Sequence, residues 1–208
     1  EIWEKYTQLS GLSWFDGHYH NEYDHYASPA DISLEALWKN LPDLGECGNT
    51  MVVVDGSGSM TSGYPVRPIN IARSLGVYFA ERCQGEFNNI LMEFSSRPKL
   101  IDLNGCKSLK DKVLEMSRYD DCSNTDIEAV FMLILQTAVK SNMKQSDLPD
   151  RILIVSDMEF DTATNQTKCM YGMKALFNEL ADRFAKYGYK VSNVELVDMI
   201  PGTRHVET

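Results

Sequence analysis

A short run of oxygen-bearing side chains follows the apolar residues 51–54, in the sequence DGSGS at residues 55–59. Asp55, Ser57 and Ser59 offer carboxylate or hydroxyl oxygens, which are the ligands that Mg²⁺ and Mn²⁺ prefer. A plainer interpretation also fits, because Gly56 and Gly58 suit a turn and a polar side chain there could cap the following helix. Taken alone, the run leaves a cation site and a simple turn equally open.

A second carboxylate follows another apolar stretch in the same way, since residues 151–156 read RILIVS and lead into Asp157. Ligands of open parallel sheets bind at the carboxyl ends of the strands, so both strand ends are expected at one edge. Thr125 opens a long apolar helix whose start should return to that edge. The sequence therefore predicts a site for Mg²⁺ or Mn²⁺ made by Asp55, Ser57, Ser59, Thr125 and Asp157.

Three further acidic residues adjoin the predicted ligands: Asp126, Glu159 and Asp161. They could hydrogen-bond to the ligands and orient them, or they could form an acidic rim around the site. The sequence leaves both interpretations open.

The elements that must position these residues follow from hydrophobic periodicity. Short apolar runs predict strands over residues 51–54, 88–94, 99–103, 151–155 and 191–197. Stripes at three- and four-residue steps predict helices over residues 68–83, 108–117, 125–142 and 173–187. This alternation predicts an α/β fold in three layers, with a mostly parallel central sheet, helices on both faces and one antiparallel edge strand at 99–103.

Residues 49–208 are predicted to form a single α/β domain, and residues 1–48 are predicted to form a separate N-terminal segment. The first segment is expected to be an aromatic-rich arm that packs on the core and includes a short helix. Asp31 is expected to cap that helix, which carries Leu34, Leu37 and Trp38 and is ended by Pro42. A histidine cluster within the arm fits either a metal site or a polar surface loop; its members are His18, His20 and His25.

Composition excludes several classes of function. The chain has 208 residues, enough for one good-sized core. Its net charge of −10 argues against a nucleic-acid-binding surface. Five cysteines without a Cys-x-x-Cys pair disfavour a zinc site or a disulfide framework and predict a reducing, cytoplasmic location. No apolar stretch approaches the roughly 20 residues that span a bilayer, so no membrane contact is expected.

The predicted cation ligands resemble the metal-ion-dependent adhesion site of von Willebrand factor A domains. That site has D-x-S-x-S after the first strand, a downstream Thr and a strand-end Asp. The stretches VVVDGSGSM, NTDIEAVFMLIL and RILIVSDMEFD also resemble the A-type domain of Ro-autoantigen-like (TROVE-related) proteins. They are closer still to a related uncharacterised group with DxSGSM and SDMxFD motifs. The resemblance covers residues 49 to about 200, and Gly56 departs from it because many relatives carry a larger residue there.

The resemblance implies a non-catalytic binding module. Its cation, Mg²⁺ or Mn²⁺, would complete its coordination shell with an Asp or Glu of a protein partner. A Ro-like ribonucleoprotein is one implied context, with RNA contacted only through a neighbouring region.

Two alternatives to the binding module stay open: a metal-dependent phosphohydrolase with Asp55 as nucleophile, and a structural domain without metal. Phosphatases that form an aspartyl-phosphate usually carry a second Asp two residues on, where this chain has Ser57. The motifs Gly-x-Ser-x-Gly of serine hydrolases and Gly-Lys-Ser/Thr of phosphate loops are missing.

Overall fold

A computed structural model describes residues 2, 3, 5, 29–43, 45, 47–61, 67–94, 97–119, 126–157 and 166–198. Within residues 166–173 and at positions 94, 196 and 198 it describes the backbone alone. The histidine cluster at positions 18, 20 and 25 lies outside the described residues.

The described strands form one sheet in the order β3-β2-β1-β4-β5. Their bounds are β1 Thr50–Asp55, β2 Ile90–Phe94, β3 Lys99–Asp102, β4 Arg151–Ser156 and β5 Asn193–Asp198. All neighbours pair in parallel except β2 and β3, which are antiparallel. The mostly parallel sheet and its antiparallel edge strand are therefore confirmed. Pro98, directly before β3, is a residue that sheets tolerate mainly at their edges.

Helices cover both faces of this sheet, which confirms the predicted three layers. Their bounds are α1 Pro29–Lys39, α2 Pro68–Ala80, α3 Leu109–Ser117, α4 Ile127–Lys140 and α5 Gln166–Lys186. Residues of α1, α2 and α3 share one hydrophobic cluster with Val52 and Val54. Residues of α4 and α5 share the other with Met51 and Val53. Successive β1 side chains thus enter opposite layers, as the period of two in a strand requires.

Two helices approach the sheet as their sequences predict. Most of the apolar stripe of α4 is buried, namely Ile127, Val130, Phe131, Ile134, Leu135 and Ala138. Leu133, which was also expected to widen this stripe, is half-buried. In α2, Gly76 lies directly over β1, since an added Cβ would stand 2.3 Å from Val54 Cγ2. The absence of a side chain at Gly76 lets α2 lie close against the strand that carries Asp55.

Several local predictions were wrong. Asp31 does not cap α1, because that helix begins at Pro29 and Asp31 lies in its first turn. Proline is favoured at that place, and the Asp31 carboxylate instead pairs with Lys110 Nζ at 3.1 Å. Three residues expected on the apolar faces of helices are exposed: Leu37 at 53%, Val139 at 42% and Tyr187 at 61%. No helix within the described ranges is long and apolar enough to cross a membrane.

Candidate cation site

The first loop of the candidate site begins where β1 ends. Asp55 is the last residue of β1, and its side chain is buried. Its Oδ1 accepts a hydrogen bond of 2.8 Å from the backbone N–H of Ser57. Its Oδ2 accepts a hydrogen bond from the hydroxyl of Ser156, at the end of β4. Asp55 is therefore held by its own loop and by the neighbouring strand.

The two serine hydroxyls of this loop lie side by side, with Ser57 Oγ 3.1 Å from Ser59 Oγ. A one-turn 3₁₀ helix, Gly58–Thr61, carries Ser59, and its Met60 side chain is fully buried. The buried methionine anchors the loop to the core, so the hydroxyls are presented from a fixed backbone.

The second strand end reaches the same edge through the sheet register. Val54 of β1 is paired with Val155 of β4, so Asp55 and Ser156 follow at the same level. Asp157 comes one residue later and is buried. Its charge is close enough to raise the pKa of Asp55. The structure thus brings together Asp55, Ser57, Ser59 and Asp157 as the sequence expects.

Burial raises the pKa of the Asp55 carboxyl above its ordinary value, because removal from water disfavours the charged form. Hydrogen bonds from Ser156 and Ser57 act in the opposite direction, and the charge of Asp157 adds to the rise. A cation between the two carboxylates would offset both unfavourable effects, since opposite charge stabilises the ionised form.

The remaining predicted site residues have a mixed outcome. Thr125, Glu159 and Asp161 lie outside the described residues, so their predicted roles stay predictions. Asp126 is exposed and acts as the N-cap of α4, with Oδ1 accepting a hydrogen bond of 2.9 Å from the Ala129 N–H. This capping role is one that the sequence interpretation did not include.

The described donors are of the type that a hard divalent cation prefers, namely carboxylate and hydroxyl oxygens. Neighbouring oxygens in an octahedral Mg²⁺ shell stand about 3 Å apart, given metal–oxygen distances near 2.0–2.1 Å. The two serine hydroxyls match that spacing at 3.1 Å. Among the described residues, no three His, Cys, Asp or Glu side chains group closely enough to hold a metal. The candidate set differs in kind, because it combines two carboxylates with neutral hydroxyls.

Sequence reasoning missed two groups beside this loop. The Ser156 hydroxyl binds Asp55, but that contact depends on a strand register that joins residues 101 positions apart. Glu93 is buried on β2 against the loop. The sequence did contain a feature that could have drawn attention to Glu93, because it is a charged residue within the otherwise apolar strand sequence ILMEF.

The structure describes the side chains of three of the five cysteines. Cys47, Cys83 and Cys106 are free thiols, and the first two are buried. Burial raises the pKa of the Cys83 thiol to about 12. These thiols are therefore neutral core side chains near pH 7.

These features define the protein as a three-layer α/β domain with carboxylates and hydroxyls gathered at the carboxyl edge of its parallel strands. The chain belongs to the family described as a domain of unknown function, DUF7788, whose model matches residues 49–203. It is 30% identical over 175 residues to uncharacterized protein L728 of Acanthamoeba polyphaga mimivirus. That match covers 81% of this chain, and the chain spans 29% of the length of that relative.

Two solved structures are similar at low sequence identity. The Ro (RSR) protein of Deinococcus radiodurans has a TM-score of 0.48 and 11% identity, over 86% of this chain and 32% of that one. Proximal thread matrix protein 1 from the mussel byssus has a TM-score of 0.46 and 12% identity, over 74% and 38% of the two chains.

Proposed function

We propose that this chain is a non-catalytic binding module that uses Mg²⁺ or Mn²⁺ to coordinate an acidic side chain of a protein partner. Asp55, Ser57, Ser59 and Asp157 would hold the ion, and Thr125 joins them through the sequence motif. The partner's Asp or Glu would complete the coordination shell. This proposal extends the family assignment, which by itself carries no function.

The observation that carries the proposal is the shared edge of β1 and β4. Two buried carboxylates stand there beside two hydroxyls that are 3.1 Å apart. Buried carboxylates near one another are costly without a counter-charge. A divalent cation supplies that charge, and because the hydroxyls add none, an incoming carboxylate would be only the third anionic ligand of the ion.

Thermal unfolding with Mg²⁺, with Mn²⁺ and with chelator tests the cation. An ion that binds only the folded chain contributes about 2.7 kcal/mol at 100 times its Kd. For a domain of this size, that corresponds to a rise in Tm of about 5–10 °C. We expect this rise in the wild type and its loss in Asp157→Asn, which keeps the side-chain size but removes the charge.

Asp150→Asn is the matched control, because Asp150 is exposed and precedes β4 as Asp157 follows it. It should retain the full Mg²⁺ response. An equal response in wild type and Asp157→Asn would contradict the proposed site. If neither Mg²⁺ nor Mn²⁺ changes the Tm of the wild type, the alternative of a structural domain without metal is favoured.

The acidic partner is tested with a defined probe. In the presence of Mg²⁺, the peptide acetyl-Gly-Glu-Gly-amide should shift the NMR amide signals of Ser57 and Ser59. The matched peptide with Gln in place of Glu should leave them unchanged, as should the Glu peptide in chelator. Equal shifts from both peptides would exclude coordination of a carboxylate by the bound ion.

The hydrogen bonds of Asp55 argue against the phosphohydrolase alternative. Both carboxylate oxygens accept a hydrogen bond, from Ser57 N–H and from the Ser156 hydroxyl. Each hydrogen bond stabilises the negative charge of the carboxylate, so its oxygens are weaker nucleophiles than those of a free carboxylate. Hydrolysis of p-nitrophenyl phosphate with Mg²⁺ tests it directly. Turnover in the wild type that disappears in Asp55→Asn would restore the enzyme hypothesis.

The cellular context follows from the same proposal. Free buried thiols fit the cytoplasm, where thiols stay reduced. A Ro-like ribonucleoprotein is the context that the motif resemblance implies. Because the net charge is −10, we propose that a neighbouring region, and not this chain, contacts RNA.

A further inference from the structure

A buried ion pair lies beneath the DGSGS loop and is not part of the predicted ligand set. Glu93 of β2 is paired with Val54 in the sheet, on the face that α2 covers. Arg73 of α2 approaches it, with NH2 3.6 Å from Glu93 Oε1. The two side chains are only 8% and 4% exposed.

The Glu93 carboxylate also touches the loop itself. A Cβ added to Gly56 would stand 2.4 Å from Glu93 Oε1, and 3.0 and 3.1 Å from Cδ and Cγ. Real Cβ atoms essentially never come closer than 3.0 Å to another atom, so the contact with Oε1 is the one that excludes a side chain. The loop therefore lies directly against Glu93, at the residue between Asp55 and Ser57. This contact gives a physical reason for glycine at position 56.

Arg73 links the same pair to a second backbone segment. Its NH2 donates a hydrogen bond of 2.5 Å to the carbonyl oxygen of Tyr119, two residues after the end of α3. One guanidinium thus contacts both Glu93 and the main chain of the segment that follows α3.

We propose that Glu93 and Arg73 are positioning residues of the candidate cation site, because they fix the backbone of the DGSGS loop from below. Glu93 acts by contact with Gly56, and Arg73 holds the Glu93 carboxylate in place. The Ser57 N–H is thereby kept against Asp55 Oδ1, which sets where the carboxylate and the serine hydroxyls point. In its reference to metal binding, this inference rests on the proposed function.

A purely stabilising role explains the pair less well. Taking two charges out of water is costly, and apolar residues of similar volume often stabilise a core as well. An ion pair retained at this place is better explained by the position that it imposes. Glu93 is not itself proposed as a ligand, since no group of three metal-binding side chains occurs among the described residues.

The test adds a Cβ at position 56 and then shortens the Glu93 side chain to make room for it. Either the loop or the Glu93 side chain must shift in Gly56→Ala, and because Glu93 is buried beside Arg73, we expect the loop to move. Glu93→Asp shortens the side chain by one methylene and keeps the charge that Arg73 needs. In the double variant, the nearest side-chain atoms would stand about where Cδ and Cγ are, 3.0 and 3.1 Å from the new Cβ. Gly105→Ala is the control, because a Cβ there meets nothing within 4 Å.

The readout is hydrogen exchange of the Ser57 amide, measured by NMR in chelator, with urea unfolding run in parallel to correct for global stability. We expect exchange to be faster by about tenfold or more in Gly56→Ala, and unchanged in Gly105→Ala. The double variant with Glu93→Asp should recover most of the protection. This recovery is a result that general destabilisation would not give.

The inference would be overturned if the Ser57 amide exchanged at the same rate in Gly56→Ala as in the wild type. It would also be overturned if Gly56→Ala lost protection at Ser57 and the added Glu93→Asp substitution did not restore it. If Gly56→Ala does not fold, Glu93→Gln decides by the same readout. It keeps the shape and removes the charge held by Arg73, and unchanged Ser57 exchange would overturn the inference.

Mg²⁺ titration of the same variants separates the two proposals. Weaker Mg²⁺ affinity in Gly56→Ala, recovered in the double variant, supports both. The wild type could instead bind no Mg²⁺ while the variants show the expected pattern of Ser57 exchange. That result would refute the cation site but would leave the proposed positioning of the loop by Glu93 and Arg73 intact.

Discussion

At the scale of single residues, the main consequence concerns Asp55 and pH. The folded state raises the pKa of this carboxyl, chiefly by burial, so the folded chain keeps its proton to a higher pH than the unfolded chain. As pH rises from about 4, the unfolded chain ionises first, and the free energy of unfolding falls until folded Asp55 ionises too. Asp55 thus contributes most to stability below its unfolded pKa.

Asp55→Asn removes this titration. In chelator, we therefore expect the wild type to lose stability relative to Asp55→Asn as pH rises from about 4 to 7. Mg²⁺ should reverse the trend, because it stabilises the ionised form. Urea unfolding of both proteins across this range measures the difference, and the exposed Asp150→Asn variant corrects for the loss of one carboxylate. If the difference in free energy of unfolding between the wild type and Asp55→Asn does not vary with pH, burial does not raise the pKa of Asp55 appreciably.

At the scale of elements, the packing of α2 on β1 depends on Gly76. Gly76→Ala should gain about 1 kcal/mol of helix propensity. Its Cβ would meet Val54 Cγ2 at 2.3 Å, however, and such overpacking typically costs about 1–3 kcal/mol. We expect a net loss of up to about 2 kcal/mol in the free energy of unfolding, measured in urea.

A double-mutant cycle identifies the cause of that loss. Val54→Ala removes the methyl group that clashes, so Gly76→Ala should cost less in its presence than in the wild type. Equal costs in both backgrounds would mean that α2 can shift away from the strand. In that case its close approach does not fix the position of Asp55.

The contrast between what the sequence predicts and what it misses is sharpest at this scale. Local patterns located β1, β4 and helices α2, α3 and α4 to within a few residues, because period and turn residues act over short distances. The start of α5 was wrong, since the helix begins at Gln166, seven residues before the predicted start. Because β1 and β4 were located, Asp55 and Asp157 could be assigned to one edge in advance. The Ser156 and Glu93 contacts could not, since they depend on the register between strands and on the approach of α2. Asp31 was misassigned for a local reason, because α1 begins at Pro29 and Asp31 therefore lies inside its first turn.

At the scale of the whole molecule, the hydrophobic core extends beyond the segment that defines the family. The family model begins at residue 49, yet the cluster around Val52 and Val54 includes Trp3 and residues of α1. Trp3 is 2% exposed. The segment before residue 49 therefore supplies part of the layer that supports β1 and its cation loop.

Trp3→Ala tests this dependence in the full chain. Loss of a buried tryptophan typically costs about 3–5 kcal/mol through lost burial and the cavity left behind. Leu37→Ala, at an exposed position of α1, should change the free energy of unfolding by less than about 0.5 kcal/mol. If Trp3 supports the β1 layer, urea unfolding of Trp3→Ala should remain one cooperative transition at a lower midpoint. An unchanged midpoint would mean that the domain of residues 49–203 holds its core alone, and that the cation site can be studied without the preceding segment.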